Sequence, residues 1–161
     1  MVEHKYFSRI KKLSLTYAII MSIYTCIRHE MFQTRAYDLG IFIQAFWTTI
    51  NAGLFFYETP DLGISTNGSF FGVHFSPIMF VLLVIYFIFP FPHTLLILQS
   101  FLLGLAVIPL YKLTEKVSNR PSFAFRLSLI YLVYPPILAA NLFDFHLESF
   151  FPIIFFTAFY Y

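Results

Sequence analysis

Three short polar motifs carry the side chains of this sequence that can do chemistry. In the first, Arg35 and Tyr37 precede Asp38, a carboxylate that can act as a general base, bind a cation or hold a sugar hydroxyl. The alternative is a charge in the first turn of a helix, paired with Arg35. In the second motif, His74 stands just before an apolar run, where it can bind a metal or a phosphate-bearing partner, or simply cap a helix.

The third motif places three ionisable residues within five positions, namely Asp144, His146 and Glu148. An extended segment would show all three on one face, whereas a helix would bring only Asp144 and Glu148 together. Such groups between two apolar segments are costly unless they are used or paired, which favours a function. Carboxylate and imidazole also suit a divalent cation held by these three residues, although their spacing matches no specific metal motif.

The composition places these motifs in a lipid bilayer. The chain has 161 residues, of which 59% are hydrophobic and 11% charged, with 23 Phe and 11 Tyr. A soluble domain carries about 25% charged residues, more than twice as many. We therefore predict an all-α integral membrane protein. The single cysteine, Cys26, excludes an intrachain disulfide, and the separation of the basic residues into two clusters predicts no nucleic-acid partner.

Apolar and polar stretches alternate along the chain and predict its helices. The stretch 37–54 has a helical period that gathers its apolar residues on one side, with Ile41 as the exception, and predicts an amphipathic helix lying in the membrane interface. That apolar side is formed by Leu39, Phe42, Ile43, Phe46, Trp47, Ile50 and Leu54. The predicted order is a transmembrane helix at 10–27, an external loop at 28–74, a re-entrant or transmembrane helix at 75–91, a transmembrane helix at 95–113, a cytoplasmic loop at 114–122, a transmembrane helix at 123–140, an external polar segment at 141–149 and the start of a further helix at 150–161.

Basic residues predict the orientation in a plasma membrane. Lys and Arg cluster before the first helix and again around 112–126, and such clusters face the cytoplasm. Two cytoplasmic points require an even number of crossings, but three apolar segments lie between them. We predict that 75–91 is re-entrant, because it is the shortest and is bracketed by Pro77 and Pro90. The last segment is shorter than the about 20 residues of a spanning helix, which predicts a piece of a longer protein.

Taken together, the motifs resemble the predicted membrane protein family called domain of unknown function 2079. The resemblance rests on Tyr37-Asp38-Leu-Gly-Ile-Phe-Ile-Gln44 with Trp47, on Phe71-Gly-Val-His74-Phe-Ser-Pro77 and on Asn141-Leu-Phe-Asp-Phe-His146-Leu-Glu148. That family is similar to the GT-C membrane glycosyltransferases, which take a sugar from a polyprenyl-phosphate donor on the outer face. The resemblance thus implies the amino-terminal part of a GT-C-like helical bundle. One departure is Ile43, where the family pattern leads us to expect an acid.

The resemblance also implies roles for the motif residues. Asp38 matches the acid of the first external loop and would be the base. For such a transfer we expect Arg35 and His74, or a divalent cation held by Asp144 and Glu148, to stabilise the leaving phosphate. The remaining candidates are Tyr37, Gln44, Trp47, Asn141, Asp144, His146 and Glu148. Two other functions stay open, a transporter or permease fragment and a non-catalytic assembly protein. Transport would need ionisable groups across the membrane midplane, and the apolar segments carry almost none.

Overall fold

Helices make up most of the described part of the chain. The computed structural model describes residues 2–35 and 37–161, with side chains from residue 5 onward. No strand occurs in these ranges, which confirms the all-α membrane fold class. Two 3-10 turns lie at Phe70–Gly72 and Leu147–Phe150. The α-helices are α1 (Val2–Glu30), α2 (Tyr37–Ala52), α3 (Ile78–Ile88), α4 (Pro92–Leu105), α5 (Val107–Ser118), α6 (Pro121–Leu132), α7 (Pro135–Phe143) and α8 (Phe151–Tyr160).

Three helical stretches are long and apolar enough to cross a membrane. They are Lys5–Glu30, Pro92–Ser118 and Pro121–Phe143. The second contains the break between α4 and α5, where Pro109 has no N–H to donate to the carbonyl four residues earlier. The third contains the break before α7, which begins at Pro135. Proline thus divides two of the three spans into shorter helices.

The chain forms two compact units, which we call unit 1 and unit 2. Unit 1 comprises Met1–Thr34 and Leu96–Tyr161, and unit 2 comprises Arg35–Leu95. All three apolar stretches contribute to unit 1, although α4 begins within unit 2. Each unit has its own packing and is described separately below.

In unit 1, α1 packs against α4 and α5. Ser14 Oγ donates to the carbonyl of Gly104 at 2.8 Å. Gly104 permits this approach, because a Cβ there would lie 3.0 Å from the Tyr17 ring and 3.1 Å from the Ser14 carbonyl. Seven residues towards the amino end, Phe7 packs on Tyr111 with ring centroids 5.7 Å apart. Because the earlier residue of α1 meets the later residue of the α4–α5 stretch, α1 and this stretch run antiparallel.

The two ends of unit 1 differ in character. At one end of unit 1, the first turns of α1 meet α5, and Lys112 Nζ lies over the Phe7 ring. At the other end, Arg28 Nη1 donates to the carbonyl of Leu142 at the end of α7. The helix between Lys11 and Arg28 is about 26 Å long at about 1.5 Å per residue, close to the about 30 Å of a hydrocarbon core. We call these the basic end and the Arg28 end.

In unit 2, the segment after α2 folds back onto that helix. Thr48 Oγ donates to the carbonyl of Tyr57 at 2.7 Å, and Phe46 packs edge-on against Phe56. This cover changes which side of α2 is buried. Ile41, the predicted exception, is buried, whereas Trp47 is 54% exposed. Folding of the following loop therefore buries a set of side chains that differs from the predicted apolar side, and the interfacial position of α2 stays a prediction.

Backbone hydrogen bonds close this loop between Phe56 and Phe70. Glu58 N–H donates to the carbonyl of Gly68 at 2.8 Å, and Phe70 N–H donates to the carbonyl of Phe56 at 2.9 Å. An isolated antiparallel bridge joins Tyr57 to Ser69 between them. The segment predicted as an external loop is therefore ordered by its own hydrogen bonds.

The helix α3 follows the loop in unit 2. It covers 11 residues, beginning after Pro77 and ending before Pro90. A spanning helix needs about 20 residues, so α3 by itself is too short to cross. The re-entrant path of 75–91 stays a prediction.

Gly68→Ala should loosen the closed loop of unit 2. Gly68 has φ of +69°, and an added Cβ would collide with the Tyr57 ring. The left-handed conformation alone costs about 1–2 kcal/mol for an L-residue. We expect faster proteolytic cleavage within 53–69 in detergent. Gly63→Ala is the matched control, because its Cβ would meet no atom within 4 Å; equal cleavage rates for both variants would contradict this account of the loop.

Candidate functional site

A buried glutamine organises the third polar motif. Gln99 on α4 is 1% exposed, and its Nε2 donates to the carbonyl of Asp144 at 2.8 Å and to that of Ala140 at 3.2 Å. Its Oε1 accepts from His146 N–H at 2.8 Å and from Ser149 Oγ at 3.0 Å. These groups lie at the end of α7 and in the segment before α8, where the α-helical hydrogen bonds are missing. A single side chain therefore satisfies backbone that would otherwise be left unpaired in an apolar environment.

The end of α7 is anchored by two further contacts. Asn141 Oδ1 accepts from Ser100 Oγ at 2.9 Å, and Asn141 Nδ2 lies 3.4 Å from Tyr17 Oη. Arg28 bonds the Leu142 carbonyl and also donates through Nη2 to the carbonyl of Gln33 at 3.0 Å. Asn141 is therefore part of the packing between α1, α4 and α7.

The three ionisable residues of the third motif do not share one face. Asp144 and His146 have extended backbone, as the alternating pattern allows, but Glu148 lies in the 3-10 turn. Asp144 is 2% exposed, and its Oδ1 accepts from Phe145 N–H at 2.9 Å. His146 is half-buried and Glu148 is exposed. The backbone is extended at Asp144 and His146 and then turns into a 3-10 helix, so the extended alternative holds for two of the three residues.

A cavity of about 440 Å³ lies beside His146 and Glu148. The wall is almost entirely apolar, although His146, Glu148 and Ser149 are among its residues, and the centroids of the His146 and Phe143 rings lie 5.2 Å apart. Asp144 does not line it. The lining residues are Leu103, Ile137, Ala139, Ala140, Phe143, His146, Glu148, Ser149 and Pro152.

The first two motifs belong to unit 2. Asp38 is half-buried in the first turn of α2, one helical turn before Phe42. The Phe42 ring packs on Phe70 at 5.3 Å, and the Phe70 ring packs on His74 at 5.5 Å. Phe42, Phe70 and His74 therefore form one aromatic cluster, and Asp38 precedes Phe42 by one helical turn. His74 itself is exposed, as is Arg35.

Other predicted site residues of α2 have different surroundings. Gln44 Oε1 accepts from both Thr59 N–H and Thr59 Oγ at 3.1 Å, so it holds the loop. Tyr37 and Trp47 are exposed. The two aromatic side chains are thus open to contact with a ligand or lipid, whereas the structure gives Gln44 a role in packing.

One buried acid, Glu58, is not among the residues predicted from the sequence. Its side chain is fully buried, Oε2 accepts from Asp61 N–H at 3.0 Å, and Oε1 has no hydrogen-bond partner among the described residues. Burial raises the pKa of Glu58; the bond from Asp61 N–H opposes this change and the Asp61 charge adds to it. The sequence offers no periodic signal for this burial, because the loop rather than a helix covers the residue.

The metal hypothesis gains no geometric support. Within residues 2–35 and 37–161, no group of three or more His, Cys, Asp or Glu side chains is gathered to hold a metal ion. Asp144, His146 and Glu148 are therefore not gathered into the ligand set that their residue types suggested.

Comparison with known proteins decides the family. The family described as "Predicted membrane protein (DUF2079)" matches residues 28–161, which include all three polar motifs. The chain belongs to this family. The match confirms the resemblance carried by the motifs. No curated protein and no solved structure matches the chain.

Gln99→Leu should destabilise unit 1 of this DUF2079 protein strongly. The substitution leaves His146 N–H and Ser149 Oγ without their acceptor, and each buried unsatisfied group costs about 1–3 kcal/mol. We expect a lower midpoint of thermal unfolding in detergent micelles. Gln33→Leu is the control, because Gln33 is exposed. If both variants unfold at the wild-type temperature, Gln99 does not hold the interrupted backbone.

Proposed function

We propose that this DUF2079 protein is a GT-C-like glycosyltransferase module that uses a polyprenyl-phosphate-linked sugar on the outer face of the plasma membrane. The cavity beside His146 and Glu148 is the observation that carries the proposal. Its apolar wall suits a prenyl chain, and the residues His146 and Glu148 along it suit the phosphate–sugar end. A ligand with a long apolar part and a compact polar part matches both surfaces.

The sidedness of unit 1 supports an outer-face site. The last residues of α1 lie at the Arg28 end of unit 1. Because α4–α5 runs antiparallel to α1, Leu96, where the chain re-enters unit 1, lies towards the same end. The chain between them, 35–95, must therefore return to the side from which it left. Since α3 covers 11 residues, a re-entrant path fits this requirement. With a cytoplasmic amino terminus, Asp38, His74 and the third motif would then share the outer side.

Sugar transfer needs a base for the acceptor hydroxyl and positive charge or hydrogen-bond donors for the leaving phosphate. Asp38 is the proposed base, because it is a carboxylate in the first turn of the ordered helix α2. Arg35 and His74, both exposed, are the proposed partners of the phosphate. His146 and Glu148 would orient the donor at the cavity.

Transport is the less favoured function. Its ion path would require ionisable groups between the two ends of unit 1. The sequence has no Asp, Glu, Lys, Arg or His in 13–27, 96–111 or 127–140. Polar side chains of these stretches include Ser14 and Tyr131, which donate to backbone carbonyls of α4. The interior between the ends therefore offers no charged relay.

Asp38→Asn should abolish sugar transfer while leaving the fold intact. The amide keeps the shape of the side chain but cannot accept a proton, and loss of a general base costs about 10²–10⁴-fold in rate. The measurement is transfer from polyprenyl phosphate carrying a radiolabelled hexose, in membranes that contain the chain. Asp61→Asn, a half-buried acid of the same unit, should transfer at the wild-type rate. Undiminished transfer by Asp38→Asn would remove Asp38 as the base.

Labelling of single cysteines tests the sidedness independently of activity. In a Cys26→Ser background, we introduce a cysteine at Asp38, Lys116 or Glu148 in turn. An impermeant maleimide should react with positions 38 and 148 from outside the cell and with 116 only after the membrane is opened. Reaction of 38 and 148 from opposite sides would exclude a shared site.

A further inference from the structure

Eight of the ten basic residues come from two segments that are far apart in sequence. Segments 1–12 and 112–126 contain only two acids, Glu3 and Glu115, and Glu115 Oε1 accepts from Tyr111 Oη at 2.9 Å. About 100 positions of sequence separate the two basic clusters. The structure brings them together at the basic end of unit 1. The eight residues are Lys5, Arg9, Lys11, Lys12, Lys112, Lys116, Arg120 and Arg126.

Two aromatic rings hold three of these lysines close together. Lys11 Nζ and Lys112 Nζ lie 5.0 and 5.6 Å from the centroid of the Phe7 ring. Lys112 Nζ and Lys116 Nζ lie 5.6 and 5.1 Å from the centroid of the Tyr160 ring. Helices α1, α5 and α8 thus each contribute to one group, which we call the lysine cluster.

The lysine cluster has unused capacity for an anion. An ammonium group offers three donors, and a ring face attracts the cation without neutralising its charge. Lys116 Nζ donates to the carbonyl of Tyr160 at 2.6 Å. No carboxylate among the described side chains forms an ion pair with Lys11, Lys112 or Lys116. Neighbouring like charges repel each other, so a shared anion would stabilise this arrangement.

The position of the lysine cluster indicates the kind of anion. Lys11 and Lys116 lie near the ends of the apolar stretches Lys5–Glu30 and Pro92–Ser118, where a membrane protein meets lipid headgroups. Basic groups between transmembrane helices at this level bind anionic headgroups. A zwitterionic lipid brings its own ammonium group, which would repel the lysines.

We propose that the lysine cluster is a binding site for the phosphate of an anionic phospholipid. The Phe7 and Tyr160 rings position the ammonium groups around the phosphate, and the acyl chains follow the apolar surface of the adjoining helices. The site lies at the end of unit 1 opposite to the proposed transferase site and does not depend on that activity.

Native mass spectrometry of protein released from nanodiscs tests this site. The nanodiscs contain equal amounts of phosphatidylglycerol and phosphatidylcholine, and we expect the wild-type protein to retain phosphatidylglycerol preferentially. Combined Lys11→Gln, Lys112→Gln and Lys116→Gln substitutions should reduce this retention at least about tenfold. Combined Lys5→Gln, Lys12→Gln and Arg120→Gln substitutions remove the same charge from the same two segments outside the lysine cluster, and should reduce it much less.

Two further variants separate loss of binding from loss of folding. Lys112→Gln alone should weaken retention, and Lys112→Arg should restore it, because arginine keeps the charge above the rings. Equal losses in the two triple variants would overturn the site in favour of diffuse attraction. Equal retention of both lipids by wild-type protein, or co-purification of nucleic acid in place of lipid, would also overturn it.

Discussion

Exclusion of charge from the interior of unit 1 is the constraint on which the rest of the structure depends. Residues 13–27 of α1 contain no acidic or basic side chain, and the buried Ser14 donates to the carbonyl of Gly104. Charged groups are costly at the centre of a bilayer. The ionisable residues of unit 1 are therefore displaced to two ends about 26 Å apart, and each end acquires a separate chemistry.

Non-helical backbone is the second constraint, and the two units meet it differently. In unit 2, the loop after α2 closes through its own backbone bonds and through Gln44 and Thr48. In unit 1, the interruption between α7 and α8 relies on one side chain from a distant helix. Irregular backbone at membrane depth is tolerated only where protein satisfies it. The third polar motif is therefore held in place by hydrogen bonds from Gln99.

The sequence predicted the local features well and the long-range ones poorly. Apolar runs predicted the all-α class, because this depends on neighbouring residues, whereas the predicted helix at 123–140 is divided before Pro135. The family follows from motifs that are contiguous in sequence. The partnership of Gln99 with His146 joins residues 47 positions apart, and no periodicity reveals it. Burial of Glu58 and convergence of the basic clusters were missed for the same reason.

The direction of the Gln99 hydrogen bonds has a consequence for how this protein can change. Most of its partners are backbone groups, including the carbonyl of Asp144 and the N–H of His146. Replacing the side chain at 146 or 148 therefore removes none of these bonds. Substitutions at 146 and 148 can therefore change the side chains that line the cavity while the hydrogen bonds of Gln99 to the backbone stay in place.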